Sequence, residues 1–171
     1  MSGARRNVKK GAPGKRRKAP SAVVRKATVA DVKAIHRLIT GFSERRQMLP
    51  RSLNELYDNI RDFWVAEAGG EIVASGACHV SWEDLAEIKS LAVRSDWQNR
   101  GLGREIVERA KAEALALGVK RLFSLTFRPD FFRALGFKPI AKEELPHKIW
   151  TECIKCPMFP DCGDEALILE L

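Results

Sequence analysis

The stretch 86–117 constrains the fold more than any other part of the chain. It begins with a short apolar run that includes Ile88 and Val93, which is typical of a β-strand, and it ends with apolar residues at helical spacing. Between the two lies the glycine-bearing segment 98–104, and Gly118 stands where a helix-terminating glycine is expected. The sequence therefore predicts a strand, a glycine turn and a long helix in direct succession.

The turn at 98–104 has the properties of an anion site. The first N–H groups of a helix lack intrahelical partners, and the helix dipole favours negative charge at that end. Gly101 and Gly103 let the backbone approach a ligand closely, while Arg100 and Arg104 add positive charge. The spacing differs from the Walker pattern and from G-x-G-x-x-G. The turn is therefore either a phosphate or pyrophosphate site or an ordinary connection from strand to helix.

The positive charge of the chain is concentrated at its beginning. The formal net charge is +8, and residues 1–20 contain eight of the 30 basic residues and no acidic residue. The remaining basic residues balance the 22 acidic ones, so the body of the chain is neutral. We expect a disordered basic tail at 1–20 and one folded domain at 21–171. Three interpretations of the tail are open. It is a solubilising extension or a remnant of start-site choice, it makes loose, salt-sensitive contacts with nucleic acid or anionic surfaces, or it acts as a transit peptide.

The sequence predicts neither a membrane segment nor a secretory signal. No stretch approaches the ~20 apolar residues that cross a bilayer, and no apolar segment follows the basic N-terminus. Four cysteines do not suggest a disulfide scaffold, so a reducing cytoplasm is the expected location. Cys153, Cys156 and Cys162 form either part of a zinc site, with His147 or Cys78 as the fourth ligand, or a reduced cluster in a loop. We assign no metal site.

Further strands and helices are expected on both sides of the central stretch. Apolar runs and turn residues predict strands at 22–26, 63–67, 71–80, 121–127, 138–141 and 167–171. A first helix is expected between the cap Thr28 and Gly41, with Asp31 adding negative charge to its first turn. Ser52 opens a second helix through a capping box, and a short helix is expected at 129–135.

Two segments resemble signatures of the GNAT N-acetyltransferase superfamily. The first is Gln98-x-x-Gly101-x-Gly103 after a strand ending in Leu-Ala-Val, and the second is F-F-R-A-L-G-F at 131–137. The resemblance implies an α/β (α+β) fold whose central sheet is mixed, mostly antiparallel, contains a splayed strand pair and is flanked by about four helices. It also implies acetyl-CoA as the co-substrate.

In this family the strand backbone pairs with the pantetheine arm of CoA, and the loop amides hold the pyrophosphate. The resemblance therefore implies the cofactor-binding residues Leu91, Ala92, Val93, Gln98, Asn99, Arg100, Gly101, Leu102, Gly103 and Arg104.

Acetyl transfer needs a polarised thioester, a neutral amine, and a proton or dipole for the leaving thiolate. Glu87 stands at the start of the central strand, and Lys89 shares its face. Either the two form a weak surface ion pair, or Glu87 is the general base, acting through water, and Lys89 contacts the substrate. Many family members carry a tyrosine on the short helix, where this chain has Phe131 and Phe132. A tyrosine acid is therefore not expected, and water, a backbone dipole or another group protonates the thiolate.

Three longer segments are similar to the amino-acid N-acetyltransferases, and most of all to the short, stand-alone N-acetylglutamate synthases. They are M-L-P-R-S-L-N-E-L-Y-D-N-I, W-E-D-L-A-E-I-K-S-L-A-V and L-P-H-K-I-W, within a resemblance that spans roughly 24–171. The resemblance implies L-glutamate as the acetyl acceptor in arginine biosynthesis, with Glu87 as the catalytic residue. The substrate-binding residues would be Arg51, Lys89, Ser90 and Arg128.

Cations at Arg51, Lys89 and Arg128 come from three separate segments, which favours a small anionic amino-acid substrate. The alternatives are acetylation of another amino acid or of a protein N-terminus, and a CoA-binding regulatory module without turnover. The sequence leaves open whether the chain forms a homodimer and whether arginine regulates it.

Overall fold

The computed structural model describes residues 21–146 and 163–171, together with Ile154. The expectations for the basic tail and for Cys153, Cys156 and Cys162 fall outside the described residues. The strands in the described part are β1 (Val23–Lys26), β2 (Phe63–Ala68), β3 (Glu71–Trp82), β4 (Leu85–Val93), β5 (Arg121–Thr126), β6 (Lys138–Pro139) and β7 (Glu165–Glu170). The α-helices there are α1 (Val32–Ser43), α2 (Leu53–Asp58), α3 (Leu102–Ala116) and α4 (Pro129–Arg133).

The seven strands form one sheet in the order β1-β2-β3-β4-β5-β7-β6. Neighbouring strands are antiparallel except for β4 and β5, which run parallel. One face packs against α3, whose buried residues join a core cluster with β3, β4 and β5, and α1 and α2 join a second cluster with β2 and β3. The expected mixed, mostly antiparallel sheet is therefore confirmed. No helix in this part of the chain is long and apolar enough to cross a bilayer.

The parallel strands β4 and β5 separate along their length. Residues 85–87 of β4 pair with residues 121–123 of β5, and β4 then continues to Val93 without a further β5 partner. At the point of separation, Ser124 Oγ donates a hydrogen bond of 2.9 Å to the carbonyl oxygen of Ile88. The expected splayed pair is confirmed, and it opens one edge of β4 to a space between the strands.

β4 also contains a bulge that the sequence analysis did not predict. The register with β3 shifts between Ser75 and Ala77, so that Ser90 and Leu91 lie opposite Gly76 alone. Ser90 takes a φ of +54°, which is unusual for a residue other than glycine. Bulges of this kind re-aim side chains, and this one lies where β4 passes the opening beside β5.

The connection from β4 to α3 agrees with the predicted strand, glycine turn and helix. α3 follows Gly101 and ends before Gly118, and both glycines have a φ of +83°. After the last turn, the Val119 N–H donates to the Ala114 carbonyl at 2.9 Å, which is the bonding expected at a glycine-terminated helix end.

Several element ends differ from the predicted ones. The first helix does not end at Gly41, because the Glu44 N–H still donates to the Thr40 carbonyl at 2.9 Å and α1 continues to Ser43. The short helix α4 ends before Leu135, whose N–H bonds the Phe132 carbonyl in a tighter, three-residue step. The remaining differences are small: β3 extends to 82, β6 is limited to 138–139, and β7 spans 165–170.

A buried carboxylate holds the start of α1. Asp31 is only 7% exposed, and its Oδ2 accepts hydrogen bonds from the Thr28 N–H at 2.8 Å and from Arg25 Nη1 at 2.8 Å. Arg25 also pairs with Glu67 on β2 at 2.7 Å, so the helix start is tied to the sheet. The hydrogen bonds from Arg25 lower the pKa of Asp31 from 3.8 to about 2.

We predict that Asp31→Asn lowers stability in a pH-dependent way. Because the pKa of Asp31 is lowered on folding, its contribution is fully present above pH 3.8 and is lost as the pH falls towards 2. At neutral pH the lowered pKa corresponds to about 2 kcal/mol of unfolding free energy. Denaturant titrations of wild type and variant should differ at pH 7 and converge in acid.

Asp96→Asn is the matched control, because the Asp96 carboxylate also pairs with an arginine but is exposed. Its loss should change the free energy of unfolding little. Equal losses in the two variants, or an Asp31→Asn loss that persists unchanged in acid, would contradict this account.

Candidate active site

A large cavity lies between the separated ends of β4 and β5. Its volume is about 1020 Å³. Its walls come from β4, the turn before α3, the end of β5, α4 and the loop 46–51 that follows α1. This cleft is at the large end of the range for small-molecule sites, so it has room for an extended ligand and a second, smaller one.

Most of the residues predicted from the sequence meet in this cleft. Those that line it are Arg51, Glu87, Lys89, Ser90, Leu91, Val93, Gln98, Asn99, Gly101, Leu102, Gly103, Arg104 and Arg128. Two predicted residues do not line it. Ala92 is buried in the sheet, and Arg100 stacks on Trp97 with its guanidinium carbon 4.5 Å from the ring centroid.

One end of the cleft is formed by the glycine turn. Asn99 and Gly101 have φ values of +59° and +83°, and Gln98 Nε2 donates to the Val93 carbonyl at 3.0 Å, which ties the turn to the end of β4. The first helical bond of α3 is donated by the Glu105 N–H to Gly101, so the N–H groups before it have no partner within the helix. This end of the cleft therefore suits an anion.

Gly103 is in close contact with α4. A Cβ atom at this position would lie 3.3 Å from the Phe131 ring, which is tighter than ordinary van der Waals contact. A side chain at Gly103 would therefore displace the ring or enter the cleft.

Glu87 and Lys89 project from β4 into the middle of the cleft. Their Oε2 and Nζ atoms are 3.2 Å apart, and each side chain is only 12% exposed. The ion pair predicted as one alternative is present, but it lies in the cleft wall and not on the open surface. A carboxylate in this place can accept a proton, and an ammonium group there can offset the charge of a bound carboxylate.

Arg51 lies at the start of α2. The predicted capping box is confirmed, since the Glu55 N–H donates to Ser52 Oγ at 3.2 Å and the Ser52 N–H donates to the Glu55 carboxylate at 2.7 Å. The Arg51 side chain is 14% exposed, and its Nη1 lies 3.8 Å from Glu55 Oε1. Arg128 approaches from the other side of the cleft, where its N–H donates to Thr126 Oγ1 at 2.9 Å.

The structure adds a pair that the sequence analysis missed. His79 lines the cleft and lies directly across from Glu87 on the neighbouring strand. Its Nδ1 is 2.6 Å from Asp62 Oδ2. Only the register between β3 and β4 could have indicated this position, because His79 and Glu87 pair through a hairpin whose exact alignment the sequence does not show.

The cleft contains no tyrosine. The single tyrosine of the chain, Tyr57, is exposed on α2 and does not line the cleft. Phe131 and Phe132 both line the cleft, and Phe132 is also buried in the core against Phe137. Among the described residues, the side-chain hydroxyls along the cleft belong to Ser81, Ser90, Ser124 and Thr126.

Cys78 is a packing residue. It is buried in the apolar cluster that includes Ala86 and Ile88, and this burial raises the pKa of its thiol to about 12. The thiol therefore stays protonated at neutral pH, which disfavours metal binding. Within residues 21–146 and 163–171, no group of three or more His, Cys, Asp or Glu side chains is placed to hold a metal ion.

Comparison with known sequences identifies the family. The model of the acetyltransferase (GNAT) family matches residues 29–137. An uncharacterised N-acetyltransferase of Chlorobaculum tepidum is 40% identical over 150 residues, which are 86% of this chain and 96% of the relative. The amino-acid acetyltransferase of Mycobacterium tuberculosis is 37% identical over 133 residues, 76% of this chain and 76% of that protein.

Solved structures show the same fold. A Mycobacterium tuberculosis protein in complex with CoA has a TM-score of 0.76 and 32% identity, with 87% of this chain and 99% of that chain covered. The N-acetylglutamate synthase of Neisseria gonorrhoeae, complexed with CoA and N-acetyl-glutamate, has a TM-score of 0.80 and 26% identity. The match covers 90% of this chain but 36% of the synthase. The chain belongs to the GNAT acetyltransferase family, and its co-substrate is acetyl-CoA.

Proposed function

We propose that the protein transfers the acetyl group of acetyl-CoA to the α-amine of L-glutamate and releases N-acetyl-L-glutamate, an intermediate for arginine biosynthesis. The observation that carries this proposal is that Arg51, Lys89 and Arg128, from three separate segments, line one cleft together with Glu87. The named activity of the Mycobacterium relative and the ligands of the Neisseria synthase support the same assignment.

Acetyl-CoA occupies the opening between β4 and β5 in this proposal. Beyond residue 87, β4 remains paired with β3 but has no β5 partner, so its free edge can pair with the amides of the pantetheine arm. The pyrophosphate lies at the start of α3, where the free N–H groups and Arg104 provide positive potential. The thioester then lies beside the bulge at Ser90, where backbone N–H groups can polarise its carbonyl.

Glutamate occupies the part of the cleft between β4 and the 46–51 loop. It carries two carboxylates, which suit the forked donors of Arg51 and Arg128 and the ammonium of Lys89. Glu87 removes a proton from the substrate ammonium, directly or through a water molecule, and so provides the neutral amine that attacks the thioester. The leaving thiolate is stabilised by the hydroxyl and backbone dipoles around the splay, since a tyrosine acid is absent from the cleft.

We predict that Arg51→Ala raises the glutamate KM about 10- to 100-fold and changes kcat much less. The loss of charge-assisted hydrogen bonds to a carboxylate costs about 1.5–3 kcal/mol. If these bonds are equally strong in the ground state and the transition state, their loss weakens substrate binding and leaves kcat unchanged. Steady-state kinetics at saturating acetyl-CoA measure both constants. Arg61→Ala, which removes an exposed arginine that does not line the cleft, is the matched control and should leave both constants unchanged.

The acceptor preference tests the proposed function itself. Thiol release from acetyl-CoA should show a kcat/KM for glutamate well above that for glutamine, because glutamine lacks the side-chain carboxylate that the cations bind. Peptides with free N-termini should give background rates. Equal rates with glutamine would contradict a cation on the side-chain carboxylate, and a peptide that outperforms every free amino acid would contradict the substrate class.

A further inference from the structure

His79 and Asp62 form a hydrogen-bonded pair beside the proposed acceptor site. Asp62 ends the 3-10 turn Ile60–Asp62, which leads directly into β2, and its Oδ2 lies 2.6 Å from His79 Nδ1. A carboxylate at Nδ1 favours the tautomer that carries its proton on Nδ1. The other ring nitrogen, Nε2, is then a proton acceptor.

His79 and Glu87 are neighbours across two adjacent strands. The two residues are directly opposite each other in the antiparallel pair of β3 and β4, where Cβ atoms are about 5 Å apart and side chains share a face. His79 also borders a second cavity of about 110 Å³ on the side of α2. That cavity is lined largely by polar groups, which include Arg51, Glu55, Asn59, Asp62, Lys89 and Ser90. His79 therefore lies between the carboxylate in the cleft and a polar space that has room for water.

We propose that His79, oriented by Asp62, is a second proton acceptor in acetyl transfer and takes the proton of the attacking amine from Glu87. This inference rests on the proposed function, because it requires an acetyl acceptor whose attacking amine is bound as an ammonium group. As the N–H bond breaks, its electron pair stays on nitrogen and the proton passes to the Glu87 carboxylate. The proton then bonds to Nε2 of His79, which becomes an imidazolium, and it leaves to water through the polar cavity.

The charges around the pair support this direction of transfer. The charged side chains that border the cavity beside His79, together with its cross-strand neighbour, are Arg51, Glu55, Asp62, Glu87 and Lys89. Three are carboxylates and two are cations, so an imidazolium formed among them is electrostatically balanced. Glu87 already contacts the ammonium of Lys89 at 3.2 Å, and passing its proton onward restores that ion pair before the next turnover.

The kinetic test compares His79→Gln and Asp62→Asn with His36→Gln, which replaces a histidine on α1 that lines neither cavity. His79→Gln should lower kcat about 10-fold at neutral pH, below the full effect of a general base, and leave the acceptor KM nearly unchanged. The difference in kcat between His79→Gln and wild type should become smaller at a pH high enough to deprotonate the amine in solution. Asp62→Asn should give a smaller loss with the same pH dependence, and His36→Gln should match wild type.

Two results would overturn the inference: a wild-type kcat profile in His79→Gln, or a loss of equal size at every pH. Failure of the proposed function is distinguishable, because it shows in the wild-type protein as a preference for another acceptor. The variants are then compared with that acceptor.

A measurement without substrate gives a second test. Nitrogen-15 NMR of the imidazole should show neutral His79 with its proton on Nδ1, and Asp62→Asn should weaken this preference. A neutral His79 with its proton on Nε2 would overturn the inference, since that nitrogen could not accept the proton.

Discussion

Gly103→Asp is expected to weaken CoA binding by at least about 100-fold. The new carboxylate would lie at the start of α3, where the pyrophosphate is proposed to bind, and a like-charge contact in such a site costs several kcal/mol. Its Cβ would also lie 3.3 Å from the Phe131 ring. Isothermal titration calorimetry with CoA measures the loss of affinity.

Gly103→Asn separates charge from size in this experiment, because asparagine has nearly the shape of aspartate and no charge. The asparagine variant should retain much more affinity than the aspartate variant, and both should keep a melting temperature near that of wild type. Unchanged CoA affinity in Gly103→Asp would contradict the assignment of the pyrophosphate site. Equal losses in the two variants would assign the effect to displacement of Phe131 and not to charge.

Glu87→Gln is expected to lower kcat about 100-fold and to change the substrate KM values less. Glutamine keeps the size of the side chain but cannot take the ammonium proton, and general base catalysis is typically worth 10²–10⁴ in rate. The variant should recover part of its rate at high pH, where the amine is neutral without help. Rapid-mix or steady-state thiol release over a range of pH values measures both effects.

Glu83→Gln is the control for this substitution, because Glu83 is exposed in the turn between β3 and β4 and does not line the cleft. It should behave as wild type. A higher KM with unchanged kcat in Glu87→Gln would instead mean that Glu87 binds the substrate or holds Lys89 in place.

The parts of the fold that local rules determine could be predicted from the sequence. The capping box at Ser52 and the glycine that ends α3 at Gly118 both depend on residues within one turn of each other. The hairpin between β2 and β3 likewise follows from Gly69 and Gly70, which have φ values of +59° and +82°. At Gly41 the same reasoning failed, because a glycine can remain inside a helix when its φ stays negative and the flanking residues continue the bonding pattern.

The parts of the site that depend on distant residues could not be predicted in the same way. The bulge at Ser90 and the position of His79 opposite Glu87 follow from the alignment of β3 with β4, which apolar patterning alone does not determine to one residue. The sequence supplied Arg51 and Arg128 as separate cations, but only the packing of α2 and β5 around the splay places them in one cleft. The proposed role of that cleft in acetyl transfer comes from the resemblance to a known family.

The most direct test of the account is to identify the product. Purified protein is incubated with acetyl-CoA, labelled in its acetyl group, and an equimolar mixture of free amino acids and basic peptides, and the labelled product is identified by mass spectrometry. We predict N-acetyl-L-glutamate as the dominant labelled product, formed in step with free CoA and reduced about 100-fold when the Glu87→Gln variant is used for the same time. Label on another amino acid or on peptides alone, or release of CoA without any acetylated amine, would contradict it.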